Sequence, residues 1–209
     1  MLLIIKEAYD EFEPEGNLHG PSLVVFSAQS SHCSDEFLYR PHHHVQAALL
    51  LHCFFVISHD RRQILHFNVT RRPTSSWMTQ QVREAFPYAS APRFLLFDHD
   101  QKYGLEVPAA IRSMRITCVQ TSIQSPWQNG VAERWVGSCR RDLLDHIIAL
   151  NERHLRRVLA DYVRYYHDDR THLGLSKQTP GGSVCSAVRG CVLSSARLGG
   201  LHHRYDRAA

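Results

Sequence analysis

The sequence predicts an α/β domain in which a sheet is flanked by helices, and three patterns support this. Two short apolar runs, at residues 53–57 and 64–70, enclose a polar turn, as expected for a β-hairpin. Two further apolar runs, at 93–97 and 115–120, predict strands that alternate with helical segments. The order hairpin, helix, strand, short helix, strand, long helix and helix is typical of a layered α/β domain.

The predicted helices are marked by their boundary residues. Thr74 and its neighbours offer N-cap oxygens to a helix that ends at Pro87. A short helix is expected over 107–114, and a long one over about 131–150. Asn151 is expected to cap a last helix, whose apolar positions step by three and four; they are Leu155, Val158, Leu159, Tyr162, Val163 and Tyr166.

Length and composition limit the possible classes of protein. The chain has 209 residues, of which 44% are hydrophobic and 21% charged, which suits one folded domain with appendages and excludes a chain disordered by composition. The longest apolar run, residues 45–57, is too short to cross a bilayer. We therefore expect no membrane partner. The six cysteines show no regular spacing, so reduced thiols in a cytoplasmic protein are expected.

The basic residues are almost all arginine. The net charge is +4, and arginine supplies 21 of the 24 basic residues. Arginine binds phosphate through two parallel hydrogen bonds, which fits a nucleic-acid partner. A GC-rich genome, which favours arginine codons, accounts for the same bias equally well.

Three regions are expected along the chain. Residues 1–46 are predicted to be poorly structured or aberrant, with a possible strand only at 23–26. Residues 47–180 carry the regular pattern and form the predicted domain. Residues 181–209 form a short C-terminal tail with minor β character.

Two carboxylates carry the candidate chemistry. Asp98 follows directly after the apolar strand that ends at Phe97, and Glu133 lies 35 positions later, in the first turn of the long helix. Alone, Asp98 reads as a turn residue and Glu133 as a complement to the helix dipole. Together, acids from a strand end and a helix start can share divalent metal ions, which suits phosphodiester chemistry. Asp100 competes with Asp98 and is interpreted as a solvated turn residue.

These motifs resemble the Asp-Asp-Glu class of retroviral-type integrase cores and bacterial insertion-sequence transposases. The resemblance covers residues 51–180 and includes Asp98 with an aromatic residue five positions later. It also includes Ser-Pro-Trp-Gln-Asn-Gly before the helix of Glu133, and the segment 165–175 followed by Thr179 and Pro180. It implies a ribonuclease-H-like mixed sheet flanked by helices, with a doubtful first strand.

The resemblance also implies an activity and a site. The family integrates DNA: two Mg²⁺ or Mn²⁺ ions serve hydrolysis at a transposon end and joining of its 3′ hydroxyl to target DNA. Asp98 and Glu133 would be the catalytic residues and metal ligands. The expected partners are transposon ends, target DNA and further copies of the chain, in the bacterial cytoplasm at the nucleoid.

Four polar residues near Glu133 are candidates for DNA contact. Gln128 and Asn129 precede the helix and can reach a DNA end, although loop and capping duty explains them equally well. Arg140 and Arg141 lie about two turns beyond Glu133 and can meet backbone phosphate. An ordinary exposed helix face is the stronger alternative for this pair.

The first carboxylate of the family pattern is missing. It is expected at about residues 37–41, just before the hairpin, and these residues are Phe-Leu-Tyr-Arg-Pro. Neither Asp35, Glu36 nor Asp60 replaces it convincingly, and a shifted reading frame between Glu36 and Leu51 is one explanation. Loss of a shared ligand is expected to impair the enzyme. The alternative function is an inactive DNA-binding or assembly remnant of a transposase.

Overall fold

The computed structural model describes residues 51–87, 91–97, 104–122, 128, 130–182 and 190–208, together with the backbone of a strand at 23–28. Seven strands and four α-helices follow one another in this part of the chain. In order they are β1 Leu23–Ala28, β2 His52–Ser58, β3 Ile64–Thr70, α1 Ser75–Ala85, β4 Phe94–Phe97, α2 Glu106–Ser113, β5 Thr117–Gln120, α3 Gly130–Asp142, α4 Glu152–Asp168, β6 Val192–Arg197 and β7 His202–Arg207.

Five strands form one mixed sheet in the order β3-β2-β1-β4-β5. The predicted hairpin is confirmed, since β2 pairs antiparallel with β3 and its register places Phe55 opposite Phe67. β1 pairs antiparallel with β2 and parallel with β4, and β4 pairs parallel with β5. The central strand of the sheet is therefore the first of the strands that the structure describes.

The first described strand lies earlier in the chain than the family pattern suggested. The family pattern suggested an opening strand close to residues 37–41, which lie outside the described residues. The strand at the centre of the sheet is Leu23–Ala28, the segment in which 23–26 alone had suggested a strand. Its apolar stretch Leu-Val-Val-Phe is rich in β-branched residues, which suits a position between two neighbouring strands.

Helices cover both faces of the sheet. Successive residues of a strand point to opposite faces, and β2 uses this alternation. Phe54 meets Trp77 of α1 edge-on, with ring centroids 5.9 Å apart. Phe55 lies against Trp135 of α3, with centroids 4.1 Å apart. All of these side chains except Trp77 are buried, so α1 and α3 pack on opposite faces of one hydrophobic core.

The predicted helix caps are confirmed. The Thr74 hydroxyl accepts a hydrogen bond from the backbone N–H of Trp77 at 3.2 Å, and α1 ends just before Pro87. The Asn151 side chain accepts one from the backbone N–H of His154 at 2.8 Å. Each cap pairs a donor that the first helical turn leaves without a backbone acceptor.

The long helix is shorter than the sequence predicted. It ends at Asp142 instead of near residue 150, and a 3-10 turn follows at Leu144–His146. The backbone leaves the helical region at Leu143, whose side chain is buried. The ring of His146 pairs with the carbonyl oxygen of Arg141 at 3.0 Å, which satisfies one of the acceptors at the helix end. The apolar spacing beyond residue 142 had suggested a continuing helix.

The C-terminal residues form a second, two-stranded sheet of β6 and β7. Asp169, at the end of α4, accepts hydrogen bonds from Arg197 at 2.6 Å and Arg204 at 2.8 Å. His202 stacks on Tyr165 with ring centroids 4.8 Å apart. These contacts hold the β6–β7 hairpin against α4, and the predicted division at residues 47 and 181 stays a prediction.

None of the helices in the described part of the chain combines the length and the apolar character that crossing a membrane requires.

Candidate metal and nucleic-acid site

The start of α3 is tied to the end of β5, and β5 lies beside β4. Phe97, the last residue of β4, is in register with Gln120, and its carbonyl oxygen accepts from the backbone N–H of Thr121 at 3.3 Å. The next N–H, that of Ser122, donates to the side-chain oxygen of Gln128 at 2.8 Å. Gln128 precedes α3 by two residues. The carboxyl end of β4 and the amino end of α3 therefore lie at the same edge of the sheet.

Glu133 occupies the first turn of α3 and is exposed. Its two sequence neighbours differ in burial, because Ala132 is fully buried and Arg134 is exposed. Trp135, two residues after Glu133, packs against Phe55 of the sheet and thereby fixes the rotation of the helix about its axis. That rotation keeps the carboxylate of Glu133 outside the core, where a ligand can reach it.

Asp98, the second predicted carboxylate, follows Phe97 directly but lies outside the described residues, as do Asp100 and Asn129. Within the described residues no group of three or more His, Cys, Asp or Glu side chains is placed to hold a metal ion. Pairing of Asp98 with Glu133 around a metal therefore stays a prediction.

Gln128 makes hydrogen bonds within the loop that precedes α3. Its amide holds the backbone N–H of Ser122 and also donates to the Ser122 hydroxyl at 3.3 Å. This agrees with loop duty, one of the two interpretations of Gln128. A DNA contact through Gln128 or Asn129 stays a prediction.

Arg140 and Arg141 differ in their surroundings. Arg140 donates to the carboxylate of Asp145 at 3.3 Å, so its charge is partly matched within the chain. Arg141 is exposed, and its guanidinium lies back along α3, over Gly137. Arg141 also lines a cavity that the sequence patterns did not indicate.

This cavity has a volume of about 400 Å³ and lies between α3, the end of α4 and the β2–β3 turn. We call it the arginine pocket, because four of its lining residues are arginines. They are Arg62, Arg134, Arg141 and Arg170. Local sequence patterns did not single out Arg62, Arg134 or Arg170 as site residues. The spacing of Arg134, Ser138 and Arg141 does place these three on one helix face.

The floor of the arginine pocket is held by one carboxylate. Asp142 accepts from Arg170 Nε at 2.8 Å and from the Tyr162 hydroxyl at 3.1 Å. Arg170 also donates to the Ser138 hydroxyl at 3.1 Å. Burial in this cluster raises the pKa of Tyr162, and the charge of Asp142 adds to that effect. The cluster links the end of α3 to α4, through Tyr162, and to the residues just after α4, through Arg170.

The rim of the pocket is fastened to the β2–β3 turn. Arg61 donates to the carbonyl oxygens of Thr179 at 2.9 Å and Pro180 at 3.3 Å, and Gln63 donates to Pro180 at 2.9 Å. Between them, Arg62 has a positive φ of 58°, and a Cβ at Gly174 would collide with its guanidinium. The turn conformation and the glycine together position Arg62.

His172 is a buried histidine on the same pocket. Its ring meets Tyr166 edge-on with centroids 4.7 Å apart, and its Nε2 has no hydrogen-bond partner among the described residues. Burial, together with the charges of Arg170 and Arg62, lowers the pKa of His172 to about 4, against the opposing charge of Asp142. The imidazole is therefore neutral at pH 7.

We expect stability to fall as the pH drops from about 6.5 to 4. The folded state lowers the pKa of His172, so the unfolded chain binds more protons in this window, and acid favours unfolding. Solvent screening in the open pocket makes the loss smaller than the roughly 3 kcal/mol that the full shift would give. His167, whose pKa burial also lowers and whose Nε2 accepts from the N–H of Ile64 at 2.8 Å, acts in the same direction.

Urea unfolding of wild type and His172→Gln between pH 7.5 and 4.5 measures this effect. The variant should lose less stability than wild type on acidification, whereas His203→Gln, on the exposed side of the β6–β7 hairpin, should follow wild type. Equal pH dependence in wild type and His172→Gln would contradict the assignment.

Comparison with known proteins supports the resemblance predicted from the sequence. Residues 114–180 match the family described as "Integrase core domain". A chain of the simian T-cell lymphotropic virus intasome in complex with PP2A regulatory subunit B56 gamma superposes with a TM-score of 0.55 at 14% identity. This match covers 92% of the present chain and 70% of that chain.

The catalytic core domain of BIV integrase is a further structural match. It has a TM-score of 0.46 at 14% identity, covering 63% of the present chain and 83% of that chain. No curated protein sequence matches the chain.

The predicted fold is confirmed by the sheet order and by the superposition with the intasome chain. The chain therefore has the predicted ribonuclease-H-like fold, and residues 114–180 match the integrase core domain family.

Proposed function

We propose that this chain is the core of a transposase that cuts and joins DNA with the help of divalent metal ions. The observation that carries the proposal is the placement of α3. Its start, with Glu133 in the first turn, is tied through Gln128 and Ser122 to the edge of the sheet where β4 ends. Asp98 is the residue that follows β4.

The donor chemistry fits Mg²⁺ or Mn²⁺. Both ions prefer hard oxygen ligands, and Glu133 offers a carboxylate at an exposed position. In this proposal, Asp98 and Glu133 hold the metal from a strand end and a helix start. When bound, the metal would stabilise the charge that develops on the phosphodiester during attack by a hydroxyl group. Arg140 lies seven residues after Glu133, on the same side of α3, and would attract the DNA backbone.

The first carboxylate of the integrase pattern has no replacement in the central strand. β1 reads Leu-Val-Val-Phe-Ser-Ala and contains neither Asp nor Glu. A metal pair that relies on three carboxylates loses a shared ligand, so we propose that activity is impaired. The same observation favours a second candidate function, an inactive DNA-binding or assembly remnant that joins complexes of an intact transposase.

The proposed partners are transposon ends, target DNA and further copies of this chain. The matched intasome chain comes from an assembled complex, which supports self-association as part of the proposal. A location at the bacterial nucleoid follows from the same function.

The deciding experiment is a strand-transfer assay with labelled DNA that carries the ends of the element, in Mg²⁺ and separately in Mn²⁺. We expect weak, metal-dependent joining by wild type and loss of joining to background in Asp98→Asn and in Glu133→Gln. Glu106→Gln is the matched control, because Glu106 is also an exposed glutamate in the first turn of a helix.

The two candidate functions give different outcomes. Joining by wild type that Glu133→Gln abolishes supports the enzyme. DNA binding without joining, with wild type no better than Glu133→Gln, leaves the remnant. Broadening of amide resonances at residues 96–97 and 132–134 by Mn²⁺ tests the metal site without DNA. Broadening that persists in Glu133→Gln would place the ion elsewhere.

A further inference from the structure

The arginine pocket is separate from the flank of α3 that carries Glu133. A helix turns by about 100° per residue, so residues three, four and seven apart share a face. Val131, Arg134, Ser138 and Arg141 follow this spacing and all line the pocket. Glu133 and Arg140 follow it on the opposite flank. The pocket therefore does not belong to the proposed metal site.

The charges of the pocket are mostly unmatched. Arg170 is paired with Asp142, whereas Arg62, Arg134 and Arg141 have no acidic partner in the part of the chain that the structure describes. Four guanidinium groups around one cavity repel one another. Such an arrangement costs free energy unless an anion or solvent screens it.

Two of the four guanidinium groups are held in place by contacts within the chain. Arg170 is fixed by Asp142 and Ser138, and Arg62 by the β2–β3 turn and the close approach of Gly174. Fixed arginines lose less conformational entropy when they bind an oxyanion, and their planar donors match phosphate.

His172 supplies an independent observation. It is 8% exposed, it lines the cavity, and its buried Nε2 has no hydrogen-bond partner among the described residues. A buried polar atom without a partner is costly, and it suggests a group that binds there. Because the charges of Arg170 and Arg62 help to lower the pKa of His172, an anion that neutralises them would favour protonation of its ring.

We propose that the arginine pocket binds a backbone phosphate of DNA, at a second contact site on the flank of α3 opposite Glu133. This inference rests on the proposed function for the identity of the ligand. The volume of about 400 Å³ accommodates a phosphodiester with parts of the adjoining sugars, and its open arginine rim suits a polymer that continues past it. The contact would hold DNA in place without reading its sequence.

Metal-free binding separates this inference from catalysis. Affinity for a labelled duplex is measured in EDTA from about 50 to 200 mM salt, the range in which phosphate contacts dominate the salt dependence. For Arg134→Ala/Arg141→Ala, we expect the slope of log affinity against log salt to decrease by about 2. At the lowest salt, affinity should fall by roughly tenfold or more per arginine.

The matched control removes two exposed arginines from the other face of the sheet, as Arg83→Ala/Arg112→Ala on α1 and α2. It should keep the slope of wild type. A wild-type slope in the pocket variant would overturn the inference and leave the proposed function intact.

A second readout follows the His172 ring by NMR. Added duplex should raise the pKa of His172 in wild type and leave it unchanged in the pocket variant. If inorganic phosphate shifts this resonance but DNA neither shifts it nor binds, DNA is not the ligand, and the proposed function fails with it. Preference for an RNA duplex of the same sequence would likewise overturn the assignment.

Discussion

Replacing Trp135 with alanine is expected to destabilise the protein by about 3–5 kcal/mol, which is the usual cost of removing a large aromatic side chain from a core. Trp135 is 3% exposed and lies 4.1 Å from Phe55, centroid to centroid. It is the largest of the α3 side chains that are buried in the core, beside Ala132 and Cys139. Loss of its indole leaves a cavity that the rigid strand β2 cannot close.

This change should also affect the site, because Trp135 lies two residues after Glu133 and fixes the rotation of α3. Equilibrium unfolding in urea measures the stability, and amide exchange over 130–142 measures the order of the helix. We expect faster exchange in α3 than in β2 and β3, whose pairing is independent of the indole.

Trp135→Phe separates packing from hydrogen bonding. The buried Nε1 of Trp135 has no partner among the described residues, so phenylalanine removes a costly donor while keeping most of the apolar volume. It should cost much less than alanine. A destabilisation of Trp135→Ala below about 1 kcal/mol, the size expected at exposed positions, would show that α3 does not depend on this contact.

Asp142→Ala is expected to cost about 3 kcal/mol. The carboxylate of Asp142 accepts from Arg170 and from Tyr162, and only 17% of its side chain is exposed. Its removal leaves the Ser138 hydroxyl as the remaining side-chain hydrogen-bond partner of Arg170 among the described residues, and it leaves the Tyr162 hydroxyl without its acceptor. Losing the acceptor of a buried donor costs about 1–3 kcal/mol, and losing a charge-assisted bond adds to it.

Asp145→Ala is the matched control for Asp142→Ala. Asp145 is three residues away and pairs with Arg140, but both side chains are substantially exposed. Exposed pairs contribute at most about 1 kcal/mol, so Asp145→Ala should be nearly neutral. Thermal or urea unfolding of both variants gives the comparison, and equal costs would mean that the Asp142 cluster is as well solvated as the surface pair.

Local sequence patterns predicted the elements that local forces determine. The β2–β3 hairpin follows from two apolar runs around a polar turn, and Thr74 and Asn151 cap their helices as expected. The predicted end of α3 was wrong, because the apolar spacing continues past Asp142 while the backbone leaves the helical conformation at Leu143. Spacing records which residues are apolar and leaves open whether the chain stays helical between them.

The arginine pocket could not be read from local patterns. Its residues come from the β2–β3 turn, from α3 and from the segment after α4, and only the tertiary fold brings Arg62, Arg134 and Arg170 together. The proposed metal ligands were found instead because a known family arranges them at a recognisable spacing. Their pairing stays a prediction.

The position of β1 determines which fragments of this protein can fold. β1 lies between β2 and β4, and the pairing of Val25 with Leu96 joins positions about 70 residues apart. A fragment that begins at residue 47 would contain β2, β3, β4 and β5 but would lack β1, the central strand of the sheet. The edges of β2 and β4 would then face solvent, and unpaired edges of apolar strands promote aggregation. Truncation at that boundary should therefore yield insoluble material rather than a smaller active core.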